Sequence, residues 1–139
     1  MYKHILVATD GSELSNQAVE YAVALAKAVN ARITAIGVST RDSGPADRAT
    51  KHLEIAKDIA AACRVSCDGL HIEHAQPYQA IIDAANARKC DLIVMASHGR
   101  RGVAAIVLGS ETVKVLTHSS IPVLVVRPKQ SPLAFLKGS

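Results

Sequence analysis

The residues best suited to chemistry are Ala96-Ser97-His98-Gly99 and, after nine intervening residues, Gly109-Ser110. They follow the apolar run Asp91-Leu92-Ile93-Val94-Met95, which reads as a buried strand. A strand that empties into a glycine-bearing loop, with Gly-Ser opening a helix beyond it, gathers unpaired backbone N–H groups and a helix N-terminus at one place. Both favour negative charge, so the arrangement suits a phosphate. Arg100 and Arg101 add fixed positive charge in the same loop. The residues point to a nucleotide-binding site. The spacing is not that of a Walker A loop, because no Gly-Lys-Ser/Thr follows four residues after a glycine. At about fourteen residues the connection is long for a strand-to-helix turn, and long ordered loops are usually functional. The plainer alternative is a surface connection that needs glycine only for its backbone.

A second polar turn, Thr9-Asp10-Gly11-Ser12, ends the run His4-Ile5-Leu6-Val7-Ala8. Asp10 could cap the following helix together with Ser12, or accept hydrogen bonds from an adenine or ribose, or do both. His98 could donate to a phosphate or bond within its own loop; as a general base it would need a partner the sequence does not show. Cys63, Cys67, His71 and His74 invite a zinc reading. His71 and His74 lie three apart in an expected strand and so face opposite ways, and the cysteines are better read as small buried apolar groups. No metal site is expected.

The elements that must hold these turns alternate regularly. Ala18, Ala22, Leu25 and Val29 recur at helical spacing, and Asn30 closes that helix. Arg32 to Val38 reads as a strand and Ser39 to Asp47 as a loop. Leu53, Ala56, Ala60, Cys63 and Cys67 continue at helical spacing, which predicts both cysteines on an inward face. A short strand at Leu70 to His74 follows, then a helix from Pro77 to Arg88 with Ile81 and Ala84 inward. Asp91 to Met95, a helix capped by Ser110 and running to about His118, and a strand at Pro122 to Val126 complete the series. Four β-α repeats closed by a strand imply an α/β fold, a parallel sheet covered by helices on both faces. Ligands of such sheets sit beyond the carboxyl ends of the strands. If the first and fourth strands are neighbours, one crevice holds both polar turns.

Composition agrees. The 139 residues suit one domain. With 49% hydrophobic but only 3% aromatic residues, the core must be Ala, Val, Ile and Leu. The four aromatic residues avoid the basic clusters, so nucleic acid is not expected as a partner despite the net charge of +4. No apolar run approaches the ~18 residues of a membrane helix. Three cysteines form no evident disulfide framework, and Met1 leads straight into a strand. A cytoplasmic, reduced setting is the expectation.

The segments Ile5 to Ser12, Asp91 to Met95, Ser97-His98-Gly99-Arg100-Arg101-Gly102, Leu108-Gly109-Ser110 and Ile121 to Arg127, in this order, resemble the universal stress protein family across Tyr2 to Arg127. The resemblance implies a domain over 1–128 with a tail at 129–139. Its fold would be Rossmann-like, of the adenine nucleotide alpha hydrolase type, with a five-stranded parallel sheet in the order 3-2-1-4-5. It also implies a homodimer paired through Pro122 to Val126, with no protein partner identified. The family's ATP-binding branch carries Gly, two residues, Gly, nine residues, then Gly with Ser or Thr. Gly99, Gly109 and Ser110 match, while Ala96 replaces the first glycine and Ala75 stands where Gly-x-Pro would begin. Asp10 matches the family's adenine-side aspartate, and Val38 occupies the position lining the adenine. The implied cofactor is ATP, alone or with magnesium. Its contacts would include Ala8, Thr9, Asp10, Val38, Met95, Ala96, His98, Gly99, Arg100, Gly109, Ser110, Glu111 and Thr112. The implied role is regulatory, with at most slow hydrolysis and no assigned catalytic residue. The competing reading is a nucleotide-free dimeric interaction module of the same fold. A phosphoryl-accepting receiver is excluded, since the third strand ends His74-Ala75-Gln76 without an acidic cluster. An ATP pyrophosphatase is disfavoured by the lack of a Ser-Gly-Gly loop after the first strand.

Overall fold

The computed structural model describes residues 1–42, 46–98 and 108–128. Five parallel strands, β1 (His4–Ala8), β2 (Arg32–Ser39), β3 (Cys67–Glu73), β4 (Leu92–Ala96) and β5 (Val123–Val126), form one sheet in the order β3-β2-β1-β4-β5. Helices α1 (Glu13–Val29), α2 (Ala46–Ala62), α3 (Pro77–Ala87) and α4 (Ser110–His118) alternate with them. The expected order is observed, and β1 pairs with β4 through Ile5↔Leu92, Leu6↔Ile93 and Val7↔Val94.

The period-two alternation of a strand divides the core in two. Ile5, Val7, Ile33, Ala35 and Val94 join Ala18, Val19, Ala22 and Val23 of α1 on one face. Leu6, Ile36, Ile93 and Met95 join Ile81, Ala85 and Val115 on the other. Ile5, Leu6, Ile93 and Val94 are wholly buried, each stabilising the fold by about 1.5–3 kcal/mol relative to exposure. Helix α1 ends where expected: Asn30 takes the left-handed conformation at φ 61°.

Several expectations need correction. Helix α2 stops at Ala62, and Arg64 turns the chain at φ 59° while the Val65 amide bonds back to the Ala60 carbonyl. Val65, not Cys63, takes the inward place; Cys63 is exposed and Cys67 opens β3. Strand β3 therefore begins three residues earlier than its apolar residues suggest, paired with β2 from Ile33↔Cys67 to Ser39↔Glu73. Being an edge strand with one half-exposed face, it tolerates Asp68 and Gly69, which break the apolar pattern. His71 bonds Ser39 Oγ at 2.8 Å, and His74 lies past the strand, its Nδ1 accepting from the Gln76 amide. The other boundaries move by one or two residues: β2 includes Ser39, α2 begins at Ala46 rather than after Asp47, α3 ends at Ala87, β4 is Leu92–Ala96 and β5 starts at Val123.

The lower edge of the sheet is tied by polar groups. Asp91 accepts the amides of Lys3 and His4. The His4 ring, 6% exposed, donates from Nδ1 to the Arg88 carbonyl and lies 2.7 Å from Thr34 Oγ1, which itself donates to Asp68. Arg88 closes the set by pairing with Asp68.

Candidate functional site

Strand β1 delivers Thr9 and Asp10 to the carboxyl end of the sheet, where the Thr9 amide bonds the Ile36 carbonyl at 2.9 Å. The next turn is fixed by its own side chains. Asp10 Oδ1 accepts the Ser12 amide at 2.9 Å, and Ser12 Oγ accepts the Ser15 amide at 3.1 Å, so Ser12 is the N-cap of α1 and Asp10 shapes the turn before it. Gly11 sits at φ +79°, and a Cβ there would fall 2.1 Å from Nε2 of His52. Glycine is required by this left-handed backbone, and the His52 ring of α2 lies against the space a side chain would enter.

At β4, Ala96 is the last strand residue. Its backbone needs no glycine, since it is not among the described positive-φ positions, and its methyl group belongs to the α1-side core. Ala75 is likewise outside the positive-φ set. The Ala96 carbonyl accepts from Thr112 Oγ1 at 2.9 Å, and the Ser97 carbonyl accepts the Gly109 amide at 2.7 Å. These two bonds bring the start of α4 down onto the end of β4. Gly109, not Ser110, occupies the N-cap position, and Ser110 is the first helical residue. A Cβ on Gly109 would stand 3.2 Å from His98 Cα and 3.4 Å from the Ser97 carbonyl oxygen, so the close approach leaves little room for a side chain. The Gly109 amide is consumed in this contact. The first-turn amides from Ser110 to Thr112 lack intrahelical acceptors, as at any helix start, and are the groups an anion there would meet.

Between the two turns lies a cavity of about 680 Å³, within the ~300–1,000 Å³ range of small-molecule and cofactor sites. Its sheet wall is Ala8, Val38 and Met95, with Ile36 beneath. Thr9, Asp10 and Ser15 border one side. The other rim carries Ala96, His98, Gly109, Ser110, Glu111 and Thr112. Eleven of the thirteen residues singled out from the sequence therefore line one cavity; Gly99 and Arg100 lie outside the described residues. Sequence reasoning missed Ser15, Ile36, Pro77, Ile81 and Leu108. Pro77 and Ile81 carry only the signals of a helix start and a core stripe, and they become a wall because α3 packs against α4 and β2. Glu111 has a partner the sequence did not suggest: its Oε1 accepts the Tyr78 amide at 2.9 Å.

The arrangement offers an apolar slot for a flat ring, an exposed carboxylate at one end and helix amides at the other. Adenine nucleotides have those three parts, so the residues fit one. Among the described residues no group of His, Cys, Asp or Glu gathers to hold a metal ion, and no helix is long and apolar enough to cross a membrane.

Known proteins resemble the chain in the same sense. A family model for the universal stress protein family matches residues 1–127. The universal stress protein MJ0531 of Methanocaldococcus jannaschii is 32% identical, with the match covering 94% of this chain and 85% of that one. A universal stress protein of Thermus aquaticus is 31% identical over 91% of this chain and 100% of its own length. Among solved structures, that of MJ0577 superposes with a TM-score of 0.84 at 26% identity, covering 94% of this chain and 99% of that one. A universal stress protein in complex with cAMP superposes with a TM-score of 0.76 at 29% identity, covering 91% and 97%.

Proposed function

The chain belongs to the universal stress protein family, and on that premise we propose that it is an ATP-binding regulatory module of the stress response, homodimeric and cytoplasmic. The observation that carries the reading is the single cavity where the Asp10 turn, the Val38–Met95 slot and the Gly109–Ser110 helix start meet. The adenine lies against Val38 and Met95 with Asp10 at its polar edge, and the phosphates lie at the amides opening α4. Ala96 is compatible with this because its methyl group is packed in the α1-side core. The cAMP complex of a structural neighbour supports an adenine nucleotide as the ligand class.

The chain's own residues bind and orient; among the described residues none is placed as a base for water, and we read hydrolysis as at most slow. Helix α4 runs on through Ser119 to Pro122 into β5, whose Val123, Leu124 and Val125 are half-buried along the open edge of the sheet. Pairing of two copies along that strand covers the edge, and phosphates at the start of α4 bear on it through the helix. The second reading, a nucleotide-free dimeric module, draws on the same edge together with the exposed Val113 and Leu116 of α4.

Replacing Gly109 by Leu separates the two. The Cβ alone is tight against His98 and Ser97, so α4 must lift and ATP binding in calorimetric titration is lost while the dimer persists in sedimentation. Unchanged ATP affinity in Gly109→Leu would overturn the assignment of the cradle.

A further inference from the structure

Helix α3 has no side-chain cap of its own: Gln76 stands at its N-cap position without a capping bond. The missing acceptor comes from another helix. Glu111, in the first turn of α4, reaches across and takes the Tyr78 amide at 2.9 Å through Oε1. Its second oxygen lies 3.5 Å from Lys114 Nζ, and Lys114 in turn lies 5.5 Å over the Tyr78 ring, which stacks tilted against His118 at 5.4 Å. One carboxylate thus joins the wall of the cavity, carried by Pro77 and Ile81, to the rim that carries Gly109 and Ser110.

The same carboxylate places a fixed negative charge beside the amides to which phosphates would bind. Lys114 neutralises it only in part, since the pair is well exposed and spaced. Resting on the nucleotide reading above, we propose that Glu111 is both the positioning residue that latches α3 to α4 and the determinant of how much phosphate charge the site accepts. The carboxylate leaves a nucleotide monophosphate little affected and penalises the further charges of a triphosphate.

Two substitutions in the full chain separate the roles. Glu111→Gln keeps an oxygen to accept the Tyr78 amide and removes the charge. Glu111→Ala removes both. Affinities for AMP and ATP by calorimetry, and hydrogen exchange at the Tyr78 amide, are the readouts. Glu111→Gln is expected to keep Tyr78 protected and to raise the ATP-to-AMP affinity ratio on the order of fivefold, as for two added charges screened near one Debye length. Glu111→Ala is expected to lose Tyr78 protection and to weaken both nucleotides. An ATP-to-AMP affinity ratio that does not move in Glu111→Gln, with both nucleotides still bound, overturns the charge role alone. Unchanged Tyr78 exchange in Glu111→Ala overturns the latch. A native chain that binds neither nucleotide overturns the reading of the cavity, and with it the charge role.

Discussion

Replacing Gly11 by Ala perturbs the turn that presents Asp10, and its cost follows from the backbone. A φ of +79° costs an L-residue about 1–2 kcal/mol. The new Cβ would also meet three ring atoms of His52 at 2.1, 2.3 and 2.4 Å, but that ring is the far end of a half-buried side chain and swings aside at little cost. The expected loss is therefore roughly 1–2 kcal/mol, or a fall of roughly 3–8 °C in the unfolding midpoint. Calorimetric or circular-dichroism melting measures this directly. The cycle with His52→Ala separates the parts: in that background Gly11→Ala should cost nearly as much, leaving a coupling below about 0.5 kcal/mol. A Gly11→Ala chain as stable as the native one would refute the left-handed turn.

Further outcomes follow from groups around the sheet. Ser97 Oγ is buried with no hydrogen-bond partner among the described residues, so Ser97→Ala should be neutral or stabilising by about 1 kcal/mol in thermal melts; a destabilisation of that size would contradict this. Burial first, then the Arg32 guanidinium, holds the His4 ring below its ordinary 6.5. The unfolded chain therefore takes up a proton that the fold resists, and stability is full above about pH 6.5 and falls as the pH drops below it. His4→Gln should flatten that limb of the melting curve, and a native midpoint unchanged between about pH 7.5 and 5 would contradict this. At Asp68, burial pushes upward, but the hydrogen bonds from Thr34 and Arg88 prevail and bring the carboxyl below its ordinary value, so its contribution disappears only in stronger acid. Burial, then Asp91, pushes the Cys90 thiol up to about 11, and burial also raises Cys67, whereas Cys63 is exposed. Alkylation of the native protein should label Cys63 first and Cys90 last by peptide mass spectrometry; early labelling of Cys90 would contradict its burial.

The strands legible in the sequence were those buried on both faces. Ile5-Leu6-Val7 and Leu92-Ile93-Val94 cannot be placed except in the centre of a parallel sheet, and they are adjacent there. Strand β3 reads short in the sequence because an edge strand needs apolar residues on only one face, leaving Asp68 and Gly69 to look like loop before Leu70. The end of α2 was misread because Cys63 and Cys67 keep helical spacing by coincidence after Arg64 has turned the chain. At the site, the turn residues Asp10, Gly109 and Ser110 were legible because each has backbone chemistry of its own. Ile36, Pro77 and Ile81 were not, because an apolar residue becomes a cavity wall only through what stands opposite it. The Glu111 carboxylate on Tyr78 joins residues 33 apart, a pairing that no local pattern encodes.

The most direct test of the central claim is to purify the chain without added nucleotide, denature it and identify what is released by mass spectrometry. The account predicts an adenine nucleotide in near-stoichiometric amount, or, if the site empties during purification, saturable ATP binding on titration. A chain that releases none and also fails to bind ATP on titration would contradict it.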